Sequence, residues 1–188
     1  MALYRFKASI ACIVLAALLP FPAMALGGGT KEKLKKGGYV ILMRSASAMA
    51  PADAPSLEAA CQSQRSLDAQ ARPRTQLVAD RFQKAGIKIT KALSSRWCRA
   101  MDTAKFLAPN VIVETREELA AYLNHKDPAV RHEIIHKVRA EIASWKGPGN
   151  LLFVSNKNTL KVISGRSLGR GAFIVVDPRT MRIIAEDN

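Results

Sequence analysis

The sequence predicts an α/β fold, a three-layer α/β/α sandwich around a mostly parallel central sheet. Short apolar runs at residues 39–43 and 151–154 lack polar alternation, the mark of strands buried on both faces, and residues 87–93 read as another strand between them. Segments with helical spacing separate them, and such alternation implies parallel pairing with right-handed crossovers. In open parallel sheets ligands gather at the carboxyl ends of the strands. Here those ends carry Arg44-Ser45, Ser94-Ser95 and Ser155-Asn156.

The elements follow in order. Gly27-Gly28-Gly29 and Lys31-Glu32-Lys33 predict a flexible N-terminal segment over residues 26–37. Residues 47–61, rich in Ala, Ser and Pro, read as loop. Residues 67–85 read as helix, with Leu77, Val78, Phe82 and Ala85 on one side and Gly86 as the stop. Pro73 suits the first turn of that helix. Ser94 and Ser95 are expected to cap a helix over 97–107, and 111–113 reads as a short strand. Asp127 should cap a helix that opens with Pro128 and ends near Trp145. Residues 159–164 form a short helix closed by Gly165, and 172–176 and 181–185 form a hairpin around Asp177-Pro178-Arg179-Thr180. One domain is expected over 38–188, with no repeat or low-complexity tract.

Residues 1–25 are expected to stand outside that domain. Arg5 and Lys7 form a basic stretch, residues 8–19 an apolar core, and Ala23-Met24-Ala25 a cleavage site, the pattern of a signal peptide cut after about Ala25. The rival is an uncleaved membrane anchor. Export would place the protein in the periplasm or outside the cell. Without Arg5 and Lys7, 27 of the 29 basic residues face 15 acidic ones, a net charge of +12. That surface attracts phosphorylated ligands, an anionic envelope surface or nucleic acid. Aromatic residues, 6% of the chain, form no stacking platform among the basic ones, so there is no specific nucleic-acid signal. Cleavage also removes Cys12, leaving Cys61 and Cys98 as a possible disulfide.

Three motifs carry a more specific reading. They are Gly38-Tyr39-Val40-Ile41-Leu42-Met43-Arg44-Ser45-Ala46, Ser94-Ser95-Arg96-Trp97-Cys98-Arg99-Ala100-Met101-Asp102-Thr103-Ala104, and Asn150-Leu151-Leu152-Phe153-Val154-Ser155-Asn156. In this order and spacing they resemble the core of the histidine phosphatase, or phosphoglycerate-mutase-like, superfamily. Gln64-Arg65-Ser66-Leu67 with Arg72 resembles a stretch of its small exported members, with Ala71 where that pattern has Gly. The resemblance covers roughly residues 38–177. It implies that Arg44 and Arg99 grip a phosphoryl group, because a planar guanidinium can hold two phosphate oxygens at fixed charge. It also implies two imidazoles, a nucleophile and an oxyanion holder, and this chain carries Ser45 and Asn156 in their places. The acid group is open: Lys157 stands at one of the family's positions for it, and Glu114, Glu117 and Glu118 lie in the region of the other.

A serine nucleophile needs an adjacent base, and every His outside the motifs lies within 125–136. The expected reading is therefore a pseudoenzyme with a phosphate or anion pocket formed by Arg44, Arg99, Ser45, Asn156 and Lys157, with no cofactor. One alternative is an active phosphomonoesterase with chemistry rebuilt around Ser45. Another is a zinc hydrolase, since His132-Glu133-Ile134-Ile135-His136 is an H-E-x-x-H sequence on a predicted helix. The competing reading of that motif is a solvated face with Glu133 pairing to Lys137.

Overall fold

A computed structural model describes residues 27–46, 71–121 and 125–187. The expected signal peptide, the 47–61 loop, Cys61 and the Gln64-Arg65-Ser66-Leu67 stretch lie outside the described residues. The strands are β1 (Val40–Arg44), β2 (Ile89–Ser95), β3 (Val113–Arg116), β4 (Asn150–Ser155), β5 (Phe173–Asp177) and β6 (Arg182–Asp187). They form one sheet in the order β3-β2-β4-β1-β5-β6. The pairings β3-β2, β2-β4 and β4-β1 are parallel, whereas β1-β5 and β5-β6 are antiparallel. The sheet is thus mixed, with a parallel half carrying all three motif strands.

Helices cover both faces, as the doubly buried strands require. Ile41, Met43, Ala92, Leu152 and Val154 pack on Leu34 of α1 (Gly28–Lys36), Val78 and Phe82 of α2 (Ala71–Lys84), and Ala100 and Ala104 of α3 (Cys98–Leu107). On the other face, Leu42, Leu93, Leu151 and Phe153 meet Leu119 of α4 (Glu118–Ala121). They also meet Ile135 and Ile142 of α5 (Pro128–Ala143) and Leu160 and Ile163 of α6 (Lys157–Ser164).

Three expectations give way to the structure. The segment expected to be flexible holds α1, whose Leu34 is fully buried. Tertiary packing of one leucine outweighs the glycine cost at the helix start. Gly37 then ends the helix at φ 83°, where a Cβ would lie 2.5 Å from the Pro148 carbonyl oxygen, so only glycine fits. The third strand occupies Val113–Arg116 rather than 111–113. Ile112 is 87% exposed, and the charged residues Glu114 and Arg116 suit an edge strand. Ser94 and Ser95 do not cap α3: both belong to β2, and the N-cap is Trp97 without a side-chain bond.

Other signals act where the sequence puts them. Asp127 accepts a hydrogen bond from the Ala129 amide at 2.8 Å and Pro128 opens α5. Gly165 closes α6 in the left-handed conformation.

Candidate functional site

The carboxyl ends of β1, β2 and β4 lie side by side. Arg44 is in register with Ser155, and the Ser45 amide donates to the Ser155 carbonyl at 3.0 Å. Ser94 pairs with Val154, which sets Ser95 beside Ser155. α3 rises from the end of β2 and brings Arg99 to the same edge. The Ala46 amide donates to Thr103 Oγ1 at 3.2 Å, and that hydroxyl donates to the Arg99 carbonyl at 2.6 Å. These two bonds tie the chain after β1 to the first turns of α3.

Arg44 and Arg99 meet as two cations in a partly buried place. Arg44 Nη1 donates to the Leu168 carbonyl at 3.0 Å. The Arg99 guanidinium stacks over the Trp97 ring, 4.6 Å from its centroid, a contact in which the ring face attracts the charge. Burial pulls the Arg44 pKa down, and the charge of Arg170 adds to it. Burial does the same to Arg99, and there the second cause is Arg44 itself. Both remain cations at neutral pH, because guanidinium pKa values start so high. Among the described residues neither forms an ion pair with a carboxylate. Two such charges facing each other without a counterion constitute a site of positive potential seeking an anion.

The surrounding polar groups are also short of partners. Ser95 Oγ, Ser155 Oγ and Trp97 Nε1 are buried without a hydrogen-bond partner among the described residues, whereas most buried polar atoms in folded proteins have one. All three lie at the carboxyl ends of β2 and β4 or on the turn into α3. Ser45 is buried at the end of β1.

Asn156 has a different occupation from the one its motif position suggests. It is the N-cap of α6: its Oδ1 accepts from the Asn158 and Thr159 amides, both at 3.0 Å. Its Nδ2 donates to Thr159 Oγ1 at 2.9 Å, and that hydroxyl donates in turn to the Leu119 carbonyl at 3.3 Å. The side chain is thereby committed to its own helix. Lys157 is the exposed first residue of α6.

The three candidate acids stand elsewhere. Glu114 pairs with Lys91 at 3.7 Å and Arg116 at 3.0 Å. Glu117 pairs with Arg96 at 2.8 Å. Glu118 opens α4. Around H-E-x-x-H, Glu133 bonds Lys137 at 2.7 Å and both His132 and His136 are exposed on α5. Among the described residues no group of three His, Cys, Asp or Glu side chains is placed to hold a metal ion. Cys98, the buried first residue of α3, is disulfide-bonded, with its partner outside the described residues.

Sequence reasoning missed two arginines. Gly171 donates its amide to the Arg44 carbonyl at 3.2 Å, which brings Arg170 against Arg44. A Cβ on Gly171 would lie 3.6 Å from the Cδ and Nε atoms of Arg74 and 3.6 Å from the Cβ of Ala46. Arg74 of α2 therefore reaches the same edge. No local pattern marks either residue; only the fold joins them to the motif arginines. A separate cavity of about 920 Å³ between α2 and α3 is lined by residues including Phe82, Ile87, Phe106 and Leu107, and neither Arg44 nor Arg99 borders it.

The mixed six-stranded sheet with helices on both faces is the fold of phosphoglycerate-mutase-like phosphatases. Among solved structures it is similar to the protein histidine phosphatase SixA complexed with tungstate, with TM-score 0.56 and 16% identity over 80% of this chain and 96% of that one. It is also similar to the alpha-ribazole phosphatase of Shigella flexneri, with TM-score 0.57 and 14% identity over 80% and 96%. A third is the mycobacterial glucosyl-3-phosphoglycerate phosphatase, with TM-score 0.52 and 13% identity over 79% and 98%. By sequence, no protein-family model and no curated protein matches the chain. At such identities the likeness is one of fold, and the reading of the site rests on its own residues.

Proposed function

We propose that this protein is an exported, catalytically impaired member of the histidine phosphatase group that binds a phosphorylated ligand through Arg44 and Arg99. The observation that carries the reading is the pair itself: two partly buried guanidinium groups, converging at the strand ends, without a carboxylate partner among the described residues. Tungstate and vanadate are bound by solved phosphatases of the same fold, and both resemble phosphate in shape and charge. Phosphoryl transfer is mainly positioning and electrostatic stabilisation, so a site stripped of its imidazoles keeps the means to hold a phosphate.

The chemistry is another matter. Ser45 has no His at the site to accept its proton, Asn156 serves as a helix cap, and the candidate carboxylates are paired elsewhere or stand on α4. Loss of a nucleophile or its base costs on the order of 10⁶ in turnover. Export rests on the N-terminal pattern and is supported by the disulfide at Cys98, since disulfides persist in oxidising compartments.

Thermal unfolding with increasing phosphate, sulfate and chloride at matched ionic strength tests binding. Phosphate should raise the melting temperature, because a ligand bound only by the native state stabilises it. Arg44→Ala and Arg99→Ala should abolish the shift, and His132→Ala should not. A phosphomonoester panel should show turnover at background, with and without zinc. Equal responses to all three anions, unchanged in both arginine variants, would refute the reading. So would robust turnover lost in Ser45→Ala.

A further inference from the structure

We propose that the site takes a ligand with two neighbouring phosphoryl groups, one held by Arg44 and Arg99 and the second by Arg74 and Arg170. This inference rests on the phosphate-binding reading above and goes beyond it by naming the ligand class.

The loop after α6 wraps the end of β1 through two hydrogen bonds. Arg44 Nη1 donates to the Leu168 carbonyl, and the Gly171 amide donates to the Arg44 carbonyl. Arg170 lies between those two anchors, so its position relative to Arg44 is fixed by backbone. From α2, Arg74 sets its Cδ and Nε against Gly171, 3.6 Å from the position a Cβ would take there. Both side chains are exposed at the rim and neither has an ion-pair partner among the described residues. Arg170 is close enough to depress the Arg44 pKa.

Four guanidinium groups at one strand edge exceed what one phosphate dianion needs. Mutual repulsion among them is relieved in proportion to the negative charge brought in. An orthophosphate held by the inner pair leaves the outer pair solvated. A diphosphate reaches both, with a further set of charge-assisted hydrogen bonds. Gly171, at φ 69°, is packed against Arg74, whose Cδ and Nε lie 3.6 Å from its Cβ position, and this contact holds the second rim arginine beside the loop that carries Arg170.

The test is isothermal titration of the purified protein with orthophosphate and with pyrophosphate at matched ionic strength and pH. The expected result is pyrophosphate binding about tenfold tighter or more. In Arg170→Ala and Arg74→Ala that preference should fall toward one. Arg139→Ala, which removes the same charge from the exposed face of α5, should leave it intact. Arg170→Lys should keep part of it, as a single charge without the fork. Equal affinity for both anions in the wild type would overturn the two-phosphoryl site and leave the phosphate pocket standing. A preference that survives in both rim variants would overturn it as well. Binding of neither anion would remove the reading beneath it.

Discussion

Replacing Asn156 by Ala should separate the two jobs that one position could hold. The side chain satisfies two amides of the first turn of α6 and donates to Thr159, which donates to the Leu119 carbonyl. An N-cap lost to alanine costs about 0.5–2 kcal/mol. Asn156 is half-buried and Thr159 fully buried, so solvent replaces the lost bonds poorly, and the loss should reach the upper end, about 2 kcal/mol. For a domain of this size that corresponds to a melting temperature lower by roughly 4–8 °C. Phosphate affinity should change little, because the polar atoms of the side chain are turned to the helix. Asn156→Asp should behave oppositely. It keeps an acceptor for the cap and adds a charge favourable at a helix N-terminus, so stability is held. That carboxylate follows the strand end paired with Arg44, and it should weaken phosphate binding several-fold. Differential scanning calorimetry and phosphate titration on the same samples measure both. An Asn156→Ala protein that melts like the wild type but no longer binds phosphate would refute the cap assignment.

Restoring chemistry should take both positions: Ser45→His alone should recover little phosphomonoesterase activity, and Ser45→His with Asn156→His more than either, at a lower melting temperature because the cap is lost. Steady-state assays on the three variants check this, and full recovery by Ser45→His alone would contradict it. Trp97→Leu should free Arg99 from its ring contact, worth about 1 kcal/mol, and weaken phosphate binding roughly fivefold without abolishing it. On the far side of the sheet, hydrogen bonds from Arg179 hold the Asp177 carboxyl below the usual carboxylate range. A folded-state pKa depressed in this way contributes stability above the unfolded value, near 4, and that stability is lost as pH falls through the folded pKa. NMR titration should therefore find Asp177 titrating higher in Arg179→Ala, and acidification should cost that variant less stability than the wild type.

β1 and β4 were legible because doubly buried strands announce themselves as continuous apolar runs, whereas β2 carries Thr90 and Lys91 in its first half. Capping at Asp127 and the stop at Gly165 were legible for local reasons of the same kind. What escaped was decided by tertiary contact. α1 follows three glycines and exists because Leu34 has a core to enter. The role of Asn156 was half visible, since Asn is a favoured N-cap residue, but its motif position pointed toward phosphate. Arg74 and Arg170 carry no local signal at all. Motif spacing singled out Arg44 and Arg99, while their lack of carboxylate partners among the described residues is a fact of three dimensions.

Asn150, at the amino end of β4, has a consequence for how this site could change. Its fully buried side chain donates to the carbonyls of Leu34 at 2.7 Å and Lys88 at 2.9 Å, and accepts from the Tyr39 amide at 3.3 Å. One amide thus joins α1, the start of β1, the approach to β2 and β4 at the end of the sheet opposite the arginines. This junction is remote from the arginine edge, so exchanges of Arg44, Arg99, Arg74 or Arg170 leave it untouched. At the arginine edge itself the corresponding tie is Asn156 with Thr159 and the Leu119 carbonyl, so the two ends of the sheet are braced by separate side-chain amides.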